Sequence, residues 1–294
     1  MSHRTIQYSL LLVVFLATSG FVFLTGNKYH KDVQLSNERE VKITLESGFG
    51  TLYVSRGASG SVLDADIDAE KTVDLANCID YSKRERVGYL SINTNEEVEG
   101  KPESRHGFHI SGLESSTWNM KFTDAVPLSF DVELGMGKGM IDLTGLTVRD
   151  VTISAGASSV VLKIDQPNKG TIDDLSIETG VGKFNAEGLC NANFNHMKFQ
   201  GGVGTYALDF GGELKREVDV DLEVGLGALT VSIPQNIGAK IIYEKSFIAH
   251  LDIGKDFSEQ SDNTYVSSNF DEAEGKLNMR IEAGLGSVKI VRER

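Results

Sequence analysis

The sequence predicts an all-β chain built mainly as a β-solenoid. This is a parallel β-helix-like stack of coils of roughly 21–24 residues with Gly-x-Gly corners, preceded by one N-terminal apolar helix. Three observations predict it. A motif of Glu, one residue, Gly, an apolar residue and Gly recurs at Glu46-Ser47-Gly48-Phe49-Gly50, Glu133-Leu134-Gly135-Met136-Gly137, Glu178-Thr179-Gly180-Val181-Gly182, Glu223-Val224-Gly225-Leu226-Gly227 and Glu282-Ala283-Gly284-Leu285-Gly286. Gln200-Gly201-Gly202-Val203-Gly204 replaces the Glu, and Ser154-Ala155-Gly156-Ala157-Ser158 keeps one glycine. The spacing is regular, with Gly135, Gly156, Gly180, Gly202 and Gly225 separated by 21, 24, 22 and 23 residues. Strand-like units at a period in the low twenties are coils of a solenoid.

The third observation is parity. Val220, Leu222, Val224 and Leu226 fall on alternate positions, and the apolar series resumes at Leu229, Val231 and Ile233. A straight strand alternates strictly, so a step of three demands a bend or bulge near Gly227-Ala228. Glycine takes the positive φ of such a corner without steric cost. On this reading the residue between the glycines points into the core, and Met136, Ala157, Val181, Val203 and Leu226 form one internal column. Glu133, Ser154, Glu178, Gln200 and Glu223 form an outward column in which acidic and neutral residues alternate. At ~4.8 Å per coil, neighbouring carboxylates then lie ~10 Å apart, which is spacing against repulsion and unlike a calcium ladder.

Taken in order, the chain opens with an apolar run. No charged residue lies between Arg4 and Lys28, and Ile6 to Thr25 has the length of a bilayer span. Ala17-Thr18-Ser19 offers a signal-peptide exit, but the apolar run continues beyond it, so residues 1–27 are expected to be a signal anchor, with a cleaved signal peptide as the alternative. No cysteine lies near position 20 to take a lipoprotein anchor. Residues 28–117 are expected to form a β module, with strands at Lys42 to Val54, Val62 to Ile67 and Val87 to Ile92, and a polar loop at 95–116 carrying His106 and His109. Those two histidines lack a third ligand at a recognisable spacing. Residues 118–294 are the expected solenoid. A degenerate unit at Glu244-Lys245-Ser246-Phe247-Ile248 follows Gly225 by one period, and a loop insertion at about 254–276 absorbs the excess before Gly284.

Composition narrows the function. A formal charge of −13 argues against nucleic acid as a partner, because phosphate contacts are made by Lys and Arg. Cys78 and Cys190 lack a CxxC spacing, which leaves one disulfide or two free thiols open. The Gly-x-Gly units lack the third glycine and following helix of a dinucleotide site, and Gly135-Met136-Gly137-Lys138-Gly139 lacks the spacing of a phosphate loop. No HExxH or GxSxG is present. Asp142, Lys163, Asp165 and Lys183 could form a cluster like those of solenoid polysaccharide-cleaving enzymes, but isolated surface charges are the commoner explanation. His196 and His250 stand singly. No catalytic, cofactor-binding or metal-ligating residue is therefore expected, and no cofactor.

Trp118-Asn119-Met120-Lys121-Phe122, Val126 to Gly137 and Asp142-Leu143-Thr144-Gly145-Leu146 follow one another as in the toast-rack proteins, and Ser232 to Gly238 and Arg280 to Val288 also fit. The chain resembles that family from about Lys42 to Arg294. The family is similar to the C-terminal domain of LiaF, a membrane protein of the cell-wall-active antibiotic response. The resemblance implies an envelope-associated, non-catalytic all-β protein whose partner, as in LiaF-like members, is a sensor kinase of envelope stress. This chain departs from LiaF in having one apolar segment where LiaF has several. The expectation is a membrane-anchored, extracytoplasmic interaction scaffold. A glycan-binding or glycan-cleaving β-solenoid protein or a surface adhesin is the alternative, and self-association through exposed strand edges is a further route to assembly.

Overall fold

The computed structural model describes residues 27–69, 73–94, 116–244 and 248–293. In chain order the first elements are β1 (Asn27–Gln34), β2 (Glu40–Arg56), β3 (Ser61–Ala69), the short helix α1 (Leu75–Cys78), β4 (Ile79–Arg84), β5 (Val87–Asn93) and β6 (Ser116–Phe122). The repeats supply β7 (Leu128–Asp142), β8 (Val148–Lys163), β9 (Ile172–Glu187), β10 (Phe194–Asp209) and β11 (Glu217–Pro234). Then come β12 (Gly238–Glu244), β13 (Ile248–Ile253), β14 (Phe257–Ser261), β15 (Thr264–Ser267) and β16 (Lys276–Glu293).

Each repeat is one long strand bent at its Gly-x-Gly, so it has two arms. Successive strands pair in parallel with matching registers, Glu133 on Ser154, Ser154 on Glu178, and Glu178 on Gln200. The chain returns between repeats through short segments tied by backbone bonds such as Ile164 N to Glu187 O and Phe210 N to Ser232 O. Asparagines reinforce that side. Buried Asn191 donates to Ile164 O at 2.9 Å and accepts from Glu213 N at 3.0 Å. Such side chains satisfy the backbone groups that an irregular segment would otherwise bury unpaired.

Alternation along each arm sends one apolar column inward. Leu45, Val132, Ile153, Ile177, Phe199, Leu222 and Ile281 stack through consecutive registers in the first arm, all buried. The second arm contributes Leu52, Val160, Phe184, Tyr206, Leu229 and Val288, likewise buried. Phe199 packs edge-on against Phe184 at 5.7 Å and against Tyr206 at 5.2 Å between centroids. Each such pair contributes about 0.5–1.5 kcal/mol beyond area burial. Gly201 admits the Tyr206 ring, since a Cβ there would lie 2.5 Å from it.

The corners and the stacking order differ from the sequence expectation. The residue between the glycines points outward. Met136 is 45% exposed, Val181 56%, Val203 45%, Leu226 46% and Leu285 45%, and Ala157 is exposed with them. The parity slip itself is present, with Val224 and Leu229 both buried across the corner, and Gly227 has φ +146. The concave side of so tight a bend has no room for a side chain, so the apex residue is expelled to the convex side.

The stacking order also departs from chain order. β16 inserts between β11 and β12, so the degenerate unit stacks on the far side of β16, Glu244 against Glu282 and Ile248 against Leu285. Residues 245–247, at its corner, lie outside the described residues. The expected loop at 254–276 contains the antiparallel hairpin β14–β15, which covers the edge of β12. At the other end, β2 pairs with β7 from Val41 to Val54, so the sheet runs unbroken across the boundary expected at 117/118. β5 and β6 then pair with the first and second arms of β2; antiparallel β4 adds to β5, and antiparallel β3 and then β1 add to β6. The residues expected as a signal anchor, and the loop with His106 and His109, fall outside the described residues. Within those described, no helix is long and apolar enough to cross a membrane. Cys78 and Cys190 are both buried, and no disulfide joins them.

Candidate functional site

The β16 insertion builds a cleft on the outer face of the first arms. Outward positions of β9, β10, β11, β16 and β12 align as a ladder of Asp174, His196, Asp219, Asn278 and Lys240. Two residues further along, Ser176, Lys198, Asp221, Arg280 and Ile242 form the next. Phe270, on the segment between β15 and β16, walls one side of an open cleft of about 490 Å³. Lys276 Nζ sits 5.2 Å from the centroid of that ring.

His196 is the best-held group in the cleft. Its Nε2 lies 3.0 Å from Asp221 Oδ2 and its Nδ1 3.2 Å from Asp174 Oδ1. A neutral imidazole donates from one nitrogen only, whereas the protonated ring donates to both carboxylates. The bond to Asp221, followed by that to Asp174 and the charges of both, raises the His196 pKa against the opposing effect of burial. Both nitrogens are thus occupied, so the ring braces three adjacent coils. Next to it Asn278 Nδ2 donates to Glu217 Oε1 at 2.7 Å, and Arg280 donates to Glu244 Oε1 at 3.2 Å. With donors from Lys240, Arg280 and Asn278, carboxylate acceptors and one aromatic wall, the cleft can take a hydroxyl-rich ligand by polar contacts and stacking.

The groups singled out from sequence are distributed as follows. Lys163 Nζ pairs with Asp165 Oδ2 at 2.8 Å, and Asp142 accepts from Thr144 N at 2.9 Å while facing Lys163 in register. Lys183 pairs instead with Ser159, at the corner. The set is an exposed ion pair with a turn cap, and its members do not converge on a common point. His250 is exposed on β13. The Glu column is outward, and Gln200 Nε2 donates to Glu223 Oε2 at 2.8 Å, so a neutral rung bonds its acidic neighbour. Among the described residues one His/Asp trio has converging ligand atoms. His30 Nδ1 lies 3.0 Å from Asp66 Oδ1 and 3.8 Å from Asp64 Oδ1 on an exposed face, with Lys121 Nζ 3.5 Å from Asp66.

The cleft was not anticipated. Asp174 and Asp219 lie one period before and after His196, so the repeat spacing carried that signal. Phe270 and Lys240 reach the site only because β16 takes a place out of chain order, which no local pattern announces.

The family model described as the N-terminal domain of toast_rack, DUF2154, matches residues 24–187. No curated protein matches the chain. Among solved structures, a candidate cell adhesion protein of Clostridium sporogenes is 21% identical, with 91% of this chain and all (100%) of that one covered and a TM-score of 0.46. A candidate adhesin of Bacteroides fragilis is 13% identical, covering 90% and 97% with a TM-score of 0.33. Another from Parabacteroides distasonis is 10% identical, covering 90% and 98% with a TM-score of 0.31.

Proposed function

The chain belongs to the toast-rack family, and on that premise we propose that it is a non-enzymatic interaction scaffold of the cell envelope. In this reading the N-terminal apolar segment holds it to the membrane and the rack projects on the extracytoplasmic side. The observation that supports it best is the outer surface of the rack. Its polar side chains bond one another across the rungs, and both nitrogens of His196 are occupied by aspartates. In this arrangement both nitrogens of His196 are engaged in holding the coils together. A regular surface with pre-bonded side chains is suited to holding a partner, at low entropic cost. On the LiaF-like resemblance, that partner would be a sensor kinase of envelope stress. In-cell crosslinking of the full chain, followed by recovery from membranes, should retrieve an envelope protein. Recovery of none refutes the scaffold.

A second reading comes from the cleft itself. Phe270 beside Asp219, Asn278 and Lys240 has the make-up of a glycan site, an apolar wall with a few convergent polar groups. Binding of cell-wall polysaccharide that is lost in Phe270→Ala would support it, and release of new sugar ends would make the protein an enzyme instead.

A further inference from the structure

We propose that the convex corner of the rack is a homodimer interface, in which two copies pack their apolar ridges side by side with their stacking axes parallel. The ridge is the outward line of Met136, Ala157, Val181, Val203, Leu226 and Leu285, successive partners in register on adjacent strands. Soluble proteins scatter single exposed apolar residues, but a contiguous line of them marks a contact surface. At ~4.8 Å per strand, six rungs extend ~24 Å.

Relief and charge identify the occupant. On one side of the ridge lie exposed glycines (Gly135, Gly156, Gly180, Gly202, Gly225 and Gly284), a furrow of bare backbone. Beyond that furrow stands the Glu column. On the opposite flank, two residues after each apex, stand Lys138, Ser159, Lys183, Thr205, Ala228 and Ser287. A ridge of the same period fits the furrow rung for rung, and a second copy supplies one. With the two axes parallel, a two-fold rotation sets each copy's Glu column against the other's Lys-bearing column. Glu133 then meets the second copy's Lys138, Glu178 meets its Lys183, and the other acids meet Ala or Ser. With the axes antiparallel, the Glu columns face each other, so Glu133 meets the second copy's Glu282 and no acid finds a lysine. Charge therefore selects the parallel pair.

The two ridges and furrows would bury about 1,000 Å² in total, at the low end of specific interfaces, so the contact is weak in dilute solution and is strengthened by confinement to a membrane. The proposal is independent of which partner or glycan the cleft holds.

The test uses the full chain in membranes. Because Cys78 and Cys190 are buried, a short bis-maleimide reacts only with added surface thiols. Met136→Cys is expected to crosslink to itself, and so is Leu285→Cys. Crosslinking only when the two variants are mixed would mean an antiparallel pair, and no crosslinking would mean no ridge contact; either result overturns the proposal. In the same membranes, Val181→Asp with Leu226→Asp should cut the yield of the Met136→Cys crosslink at least tenfold while leaving the unfolding midpoint of the solubilised chain in place, since both side chains are already exposed and stand on non-adjacent strands. Lys183→Glu alone should weaken the dimer severalfold, and adding Glu178→Lys should restore it. A dimer indifferent to these changes, or a chain that is monomeric in membranes, refutes the interface.

Discussion

Gly227→Val tests the corner at its tightest point. The residue has φ +146, and a Cβ built there would lie 1.8 Å from the carbonyl oxygen of Gly204 on the preceding coil. Real Cβ atoms essentially never come closer than 3.0 Å to another heavy atom, and the atom met here is backbone. The following coil is equally close, since a Cβ on Gly286 would lie 1.8 Å from the Gly227 oxygen. Substitution therefore strains the backbone and forces neighbouring rungs apart. Strain of this kind costs about 1–3 kcal/mol, and each ladder bond lost as the rungs separate costs about 1 kcal/mol more. The sum is about 4 kcal/mol or greater, a fall in melting midpoint of roughly 10 °C for a domain of this size. Thermal unfolding followed by circular dichroism measures it. Leu226→Ala, one residue away, is the internal control. Its side chain is in water, so the loss should stay below about 1 kcal/mol, whereas Leu222→Ala in the core should cost about 2–5 kcal/mol. A Gly227→Val protein that melts with the wild type, or a Leu226→Ala protein that melts like Leu222→Ala, would refute the assignment of this corner.

Other outcomes follow from the same packing. Glu38 is buried, which by itself would raise its pKa. Hydrogen bonds from its own and the Ser36 backbone N–H, from Tyr81 and from the Ser36 hydroxyl outweigh this and lower it to about 2. Its contribution is therefore complete above the unfolded carboxylate value of about 4.5 and is lost as pH falls toward about 2; Glu38→Gln should remove that part of the acid-denaturation curve. His196 has the opposite sign. Its raised pKa means stability that is complete below the unfolded histidine value and lost as pH rises through the folded one, so His196→Gln should flatten the pH dependence of the melting midpoint around neutrality. Tyr206 is fully buried, and its hydroxyl finds no protein partner among the described residues. Tyr206→Phe should therefore keep or gain stability, by up to about 1 kcal/mol in urea unfolding, while Phe199→Ala beside it should lose about 3–5 kcal/mol.

The sequence alone determined the elements that depend on local periodicity. Glycine spacing set the coil length, alternation set the inward columns such as Val220 and Leu222, and the parity slip placed the bend at Gly227. The outward Glu column followed from the same count, because each of these properties is a matter of distance along one strand. The direction of Leu226 did not follow. Its parity with Val224 favoured the core, but a bend this tight suspends alternation, and only the backbone path shows that the space at the apex lies outside. Nor did the order of the stack follow. β16 pairs with β11 across the intervening β12 to β15, and strand pairing is a long-range choice between edges that look alike locally. The cleft inherits that indeterminacy. His196 was visible as a lone histidine, and tertiary structure supplied Asp174 and Asp221 from adjoining coils and brought Phe270 and Lys240 beside them. Periodicity is written along the chain, whereas convexity and the choice of neighbour exist only once coils are stacked against one another.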